Sequence, residues 1–214
     1  MALSDQFNNY CERLGPDFWS EPLNAVTNAA FLVAALLAYL VWQRKTPNDY
    51  AGLALVVIVF LTGVGSFLFH TFATRWALLA DVIPIALFIH IYLFFALKRF
   101  LELPWWVALV IVVGFFGFTP FVGQLVAPFV GSSAGYVPAL LAIFVVGGSF
   151  CRKDSRLGTL VLQTGLIFAL SLTFRTIDEP LCGQLAIGTH FLWHILNAVV
   201  LYSLLRVLIL HRAG

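Results

Sequence analysis

Seven long apolar stretches, separated by short polar or glycine-rich breaks, leave this chain few ways to fold. They run over Leu23–Trp42, Ala51–His70, Trp76–Leu97, Pro104–Phe118, Tyr136–Phe150, Leu157–Phe174 and Gln184–Leu210. A helix needs roughly 20 apolar residues, at about 1.5 Å each, to cross about 30 Å of hydrocarbon, and most of the stretches are near that length. The fourth and fifth are short, and Phe121–Gly135 between them carries three glycines. Backbone N–H and C=O groups have no water to turn to in lipid, so each stretch must satisfy its own as a helix. The expected architecture is all-α: one integral membrane domain over 1–214, a bundle of seven transmembrane helices preceded by a polar segment at 1–21.

Composition excludes the alternatives. Of the 214 residues, 61% are hydrophobic and only 10% charged, with a mean hydropathy of +0.96. A water-soluble domain carries about a quarter charged residues, so too little polar surface exists here to cover a sphere in water. The net charge of +2 is scattered in small clusters, which gives nucleic acid no basic face. There is no internal repeat of the kind that marks secondary transporters. The first apolar stretch is too long for a signal-peptide core and is read as a retained helix.

Basic residues orient the bundle. Arg44, Lys45, Lys98, Arg99, Arg152, Lys153, Arg156, Arg206 and Arg212 lie at or beyond the ends of odd-numbered helices, whereas only Arg13, Arg75 and Arg175 fall on the other side. Nine against three places the N-terminus outside and the C-terminus in the cytoplasm. Cys11 and Cys182 then share the oxidising side while Cys151 lies on the reducing side, which allows either a Cys11–Cys182 pair or two unpaired thiols. Short loops point to a bacterial inner membrane, and no obligate protein partner is evident.

Ionisable residues inside membrane helices are costly and mark function. Away from the helix ends these are His70, Asp81, His90, His190 and His194, joined by Ser66, Asn24 and Asn28. His70 lies near the outer end of helix two, Asp81 about two turns into helix three, and His190 and His194 about two and three turns into helix seven. All four then meet at one depth. His190 and His194 have the i, i+4 spacing that presents two imidazoles on one helix face, and His70 adds a third. A lone histidine in an apolar helix is usually a packing residue. Three neutral imidazoles with an open fourth position make a catalytic zinc shell, and burying three rings separately is the costlier arrangement. Ser66 lies one turn before His70, and Asp81 is placed to take a proton from water. His90, nine residues past Asp81, faces the other way and reads as a packing residue.

Two other polar groups have more ordinary readings. Arg175 and Asp178, three apart, read as a structural ion pair at the membrane border. Glu21, Asn24 and Asn28 share a helix face, and with Glu12 they offer oxygen ligands of the kind calcium takes, although fewer than the six to eight it needs.

Taken together, Ser66-x3-His70, Asp81 eleven residues later and His190-x3-His194 resemble the alkaline ceramidase family. That family belongs to a group of seven-helix metallohydrolases that includes the progestin/adipoQ receptors. Tyr10-Cys11-Glu12, the run Glu21–Asn28 and the run Asp178–Cys182 resemble it as well, so the likeness covers nearly the whole chain. It implies an intramembrane zinc amidase that cleaves the N-acyl bond of ceramide-like lipids to a sphingoid base and a fatty acid. By the same resemblance His70, His190 and His194 bind zinc, Asp81 is the general base, Ser66 stabilises the oxyanion or orients the metal, and Cys11 pairs with Cys182. Calcium would fall to Glu12 and Glu21, but Asn9 and Leu14 stand where the family has calcium ligands. The competing expectations are hydrolysis of another lipid amide or ester, and a non-catalytic lipid sensor with structural zinc.

Overall fold

The computed structural model describes residues 2–213, and among them the only regular structure is helical, apart from an isolated bridge between Gln6 and Thr74. The helices are α1 (Pro22–Thr27), α2 (Ala29–Lys45), α3 (Tyr50–Phe72), α4 (Arg75–Arg99), α5 (Trp105–Val130), α6 (Val137–Phe150), α7 (Ser155–Leu181) and α8 (His190–Ala213), with a 3-10 turn at Gly131–Tyr136 before α6. Six helical runs are long and apolar enough to cross a membrane. One of them, Trp105–Phe150, is 46 residues long and joins α5 to α6 through the 3-10 turn.

That turn reverses the chain. α5 starts beside Leu101, whose carbonyl accepts Lys153 Nζ at 3.2 Å, and finishes at Val130 beside Thr176 of α7. α6 sets out from Tyr136, packed on the Trp193 ring 5.0 Å away, and ends at Phe150, stacked 4.3 Å over Phe100 at the opposite end. Its 14 residues cover only about 21 Å. Gly131, with φ of +51°, supplies the left-handed backbone that starts the turn.

Buried residues of α2, α3, α4 and α8, among them Ala38, Leu55, Val59 and Leu205, form the core. α5 is the most peripheral element: of its 26 residues only Ala108 is buried, and large side chains such as Val113 and Phe129 are exposed. An apolar face this continuous has lipid as its solvent.

Several expected boundaries shift. The fourth stretch does not stop at Phe118 but continues to Val130 through Pro120 and Pro128. Membrane helices tolerate such prolines because neighbouring groups re-satisfy the freed carbonyls. The first stretch is two helices that meet at Asn28, and the sixth extends beyond Phe174 to Leu181. α8 starts at His190 rather than Gln184, so His190 is its first residue and His194 lies one turn in.

The polar N-terminal segment is a structural element of the site. Phe7 N donates to Ala73 O at 2.7 Å and Arg75 N donates to Asp5 O at 3.0 Å, which lays the segment across the tight α3–α4 turn. Cys11 and Cys182 lie at disulfide distance, with 5.0 Å between their Cα atoms, and tie the segment to the end of α7.

At the far end Asp49 holds Arg99 through two parallel bonds, Oδ1 and Oδ2 each 2.7 Å from a guanidinium nitrogen. Burial alone would raise the Asp49 pKa, but Arg99 outweighs it and holds the carboxyl below its usual range. A depressed folded pKa contributes stability that is complete above the unfolded value of about 3.9 and lost as pH falls through the folded one. Asp49→Asn is therefore expected to lower the melting temperature at pH 7, by roughly 2 kcal/mol of stability, and to remove the acid-side slope between about pH 4 and the folded pKa. Thermal unfolding in detergent across that pH range checks it.

Candidate active site

Two helices bring the three histidines together: His70 from the last turn of α3, His190 and His194 from the first two turns of α8. Each ring is 1% exposed. Ring centroids lie 5.2 Å (His70–His190), 4.6 Å (His70–His194) and 4.7 Å (His190–His194) apart. One nitrogen from each lies within 4.8 Å of the other two, close enough for one metal ion.

Neighbouring groups set the tautomers. His70 Nδ1 is 2.6 Å from Glu21 Oε2; an ionised carboxylate only accepts, so Nδ1 carries the proton. His194 Nδ1 is 2.9 Å from Thr27 Oγ1, whose own proton goes to Leu23 O at 2.8 Å. Thr27 is thus the acceptor and His194 Nδ1 the donor. Both histidines keep an Nε2 lone pair, and those two atoms, with His190 Nδ1, are buried without any hydrogen-bond partner. Buried imidazole nitrogens left bare are costly unless a Lewis acid takes them, so the donor set fits a metal.

The outer supports are built from the N-terminal segment. Arg13, 4% exposed, donates through Nε to Glu21 Oε1, through Nη1 to Gly15 O at 3.0 Å and through Nη2 to His70 O at 2.9 Å. Burial would raise the Glu21 pKa, but the hydrogen bonds from His70 and Arg13 and the charge of Arg13 keep it below its usual range. Tyr10 stacks on the His190 ring at 3.8 Å, and burial pushes its phenol up, so it remains protonated.

Asp178 positions α8. Its Oδ1 accepts the backbone N–H of Thr189 at 2.6 Å and of His190 at 2.9 Å, and its Oδ2 accepts that of Cys11 at 3.2 Å. The carboxylate therefore sits at the N-terminus of α8, where unpaired N–H groups and the helix dipole favour an anion. Gly188 makes room: with φ of +60°, an added Cβ there would lie 2.1 Å from Asp178 Oδ1. The expected Arg175–Asp178 ion pair does not form, because these amides take the carboxylate.

Asp81 and Ser66 meet where α3 crosses α4. Asp81 lies beside Ser66 and within electrostatic reach of His70 and Arg175, and its Oδ1 is buried without a partner. Gly65 permits the crossing. A Cβ at that position would lie 1.9 Å from Ala80 O and 3.0 Å from Asp81 N, both backbone atoms that cannot move alone. Gly65→Ala is expected to push α4 away by more than 1 Å and to cost at least about 100-fold in activity, with a lower melting temperature. A thermal scan alongside an activity assay separates the two losses.

Its match to the ceramidase family runs over residues 8–214. The chain belongs to the ceramidase family. No curated protein matches it. The ceramidase family implies a hydrolase acting on an amide bond of a lipid, in keeping with a buried site in an apolar bundle.

The two carboxylates to which the family resemblance assigns calcium, Glu12 and Glu21, are engaged by the chain's own donors. Glu12 accepts the N–H groups of Leu23 at 2.7 Å and Asn24 at 2.8 Å, capping α1, and Glu21 is held by Arg13, His70 and Asn24 Nδ2. Calcium takes six to eight oxygen ligands, and in this fold the permanent cation beside Glu21 is Arg13. Asn28 donates to Asn24 O at 2.8 Å and serves the α1–α2 junction. His90 lies outside the cluster: Nδ1 donates to Ala86 O at 2.7 Å and the ring packs on Phe115 of α5 at 5.5 Å. Sequence reasoning missed Arg13, Thr27 and Tyr10. Only Tyr10, beside Cys11-Glu12, carried a signal.

Proposed function

We propose that this member of the ceramidase family is a zinc-dependent amidase that hydrolyses the N-acyl bond of ceramide-like lipids, releasing a fatty acid and a sphingoid-type amine. The observation that carries the reading is the convergence of three bare imidazole nitrogens beside Asp81. Three neutral imidazoles suit zinc, which in such a shell keeps one open position. When bound there, zinc polarises a carbonyl and makes water more acidic.

The chain's own residues do the rest. Asp81 takes a proton from the water whose oxygen attacks the amide carbon, and passes that proton to the amine nitrogen as the C–N bond breaks. Ser66 lies where its hydroxyl can donate to the oxygen that gains charge or orient Asp81. Glu21 and Thr27 hold His70 and His194 in the tautomer that leaves Nε2 free. Asp178 fixes the start of α8 and so the position of His190.

We read the bundle as seven spans in a bacterial inner membrane, N-terminus outside and C-terminus cytoplasmic. The reversal at Gly131–Tyr136 supports the odd count and the excess of basic residues at the far end supports the orientation. The test is metal analysis of the purified protein, then incubation with N-acyl sphingoid lipids and mass spectrometry of the products. Zinc at about one per chain with release of free fatty acid is expected. Stoichiometric zinc without cleavage of any lipid amide would move the assignment to a sensor whose metal is structural.

A further inference from the structure

Two clefts lie among the residues around the histidine cluster, and they differ in character. One is a narrow apolar seam between α4, α6, α7 and α8, with about 60 Å³ of free volume, lined by side chains such as Phe88, Tyr136, Val161 and Leu201. The other is a polar cleft of about 740 Å³ between the N-terminal segment, the end of α5 and the end of α7, lined by Asn9, Tyr10, Arg175, Thr176 and Glu179 among others.

Arg175 borders the polar cleft and reaches a residue of the apolar seam. It lines the polar cleft, and its Cζ lies 5.4 Å from the rings of both Tyr136, which lines the apolar seam, and Trp193, which lies between the two α8 histidines. Nη1 donates to Tyr10 Oη at 3.0 Å, and Tyr10 in turn stacks on His190. Nε is buried without a partner. Among the described residues no carboxylate lies within ion-pair distance of this guanidinium; Asp81 is within its electrostatic reach but makes no ion pair with it. The other charges on the cleft are engaged or peripheral: Arg13 is bound by Glu21, Asp178 by three backbone amides, and Glu179 is exposed at the rim. Aromatic faces soften the burial of a cation, but they supply no hydrogen-bond acceptor for the bare Nε–H.

We infer that Arg175 binds an anionic group, a carboxylate or phosphate, carried on the head of the lipid amide. The inference rests on the amidase reading above and shifts its preferred substrate from neutral ceramide to lipid amides with an anionic head. The head group lies in the polar cleft against Arg175, the hydrocarbon follows the apolar seam past Tyr136, and the scissile amide falls between them beside His190. A guanidinium offers a fork of donors that matches both anions, so the two chemistries share one subsite.

The experiment compares four lipids with the same acyl chain on the full-length, zinc-loaded protein: N-acylglycine, N-acylethanolamine phosphate, neutral N-acylethanolamine and ceramide. Expected is a kcat/KM for at least one anionic lipid that exceeds the neutral ones by about 10–100-fold, the range of a charge-assisted hydrogen bond. Arg175→Gln should collapse that ratio through KM, and Arg175→Lys should restore part of it. Equal turnover of all four lipids by the unaltered protein overturns the inference while leaving the amidase reading intact. So does an equal loss on every lipid in Arg175→Gln, which would make Arg175 a support for Tyr10. Free fatty acid that inhibits the unaltered protein but not Arg175→Gln, without any head-group preference, would assign the guanidinium to the product carboxylate instead. If no lipid is cleaved, the amidase reading fails, and the part of the tryptophan fluorescence that Trp193→Phe removes, followed on adding N-acylglycine or N-acylethanolamine, still decides the anion subsite. A response to N-acylglycine alone supports it, and equal or absent responses overturn it.

Discussion

Asp81→Asn is expected to leave zinc bound and to cut fatty-acid release by about 10²–10⁴-fold, the usual contribution of a positioned general base. The substitution keeps the shape of the side chain at the α3–α4 crossing, where Gly65 leaves no slack. It removes only the ability to accept a proton. Because Asp81 is not one of the three groups whose nitrogens converge, metal content should stay unchanged. Metal analysis and a turnover assay on the same preparation give the answer. Loss of zinc in Asp81→Asn would place the carboxylate among the ligands. Full activity with zinc retained would remove it from the chemistry.

His70→Ala is expected to abolish both metal binding and hydrolysis. With one of three protein nitrogens gone, the remaining pair on α8 cannot complete a shell that needs three. The effect should be graded by distance from the ion. Glu21→Gln keeps an acceptor for His70 Nδ1 but loses the charge that holds both the imidazole and Arg13, and should weaken zinc affinity by about 10–100-fold. Competition with a chelator of known affinity measures both. Unchanged affinity in Glu21→Gln would show that the Arg13–Glu21 pair serves only the fold.

Much of this site was legible before any coordinates. His70, Asp81, His190 and His194 stood out because a polar group in an apolar span needs a reason, and helical spacing put the last two on one face. Ser66, one turn from His70, followed from the same arithmetic. The depth of His190 did not: nothing in Gln184–Thr189 announces that helix starts only at residue 190, since the decisive cap comes from Asp178, more than ten residues earlier in the chain. The Arg175–Asp178 pairing was misjudged for the same reason. Spacing of three favours a local ion pair, but three backbone amides from other segments outbid it.

Glu21 shows the limit most sharply. Its carboxylate and the nearby oxygens read as cation ligands, and the cation that the fold brings to Glu21 is Arg13. No local pattern distinguishes a carboxylate that awaits calcium from one that meets a guanidinium eight residues away.

By itself the sequence determined that the chain is a bundle of apolar helices, which residues are too polar for lipid, and which of these share a face. Those follow from hydropathy and the 3.6-residue period, properties of each segment alone. Only the tertiary structure decided which nitrogens stay bare, which tautomers the histidines take, where α8 starts and what Arg13 and Asp178 are for. Each of these depends on hydrogen bonds between groups far apart in the chain, and such bonds exist only once the segments have packed.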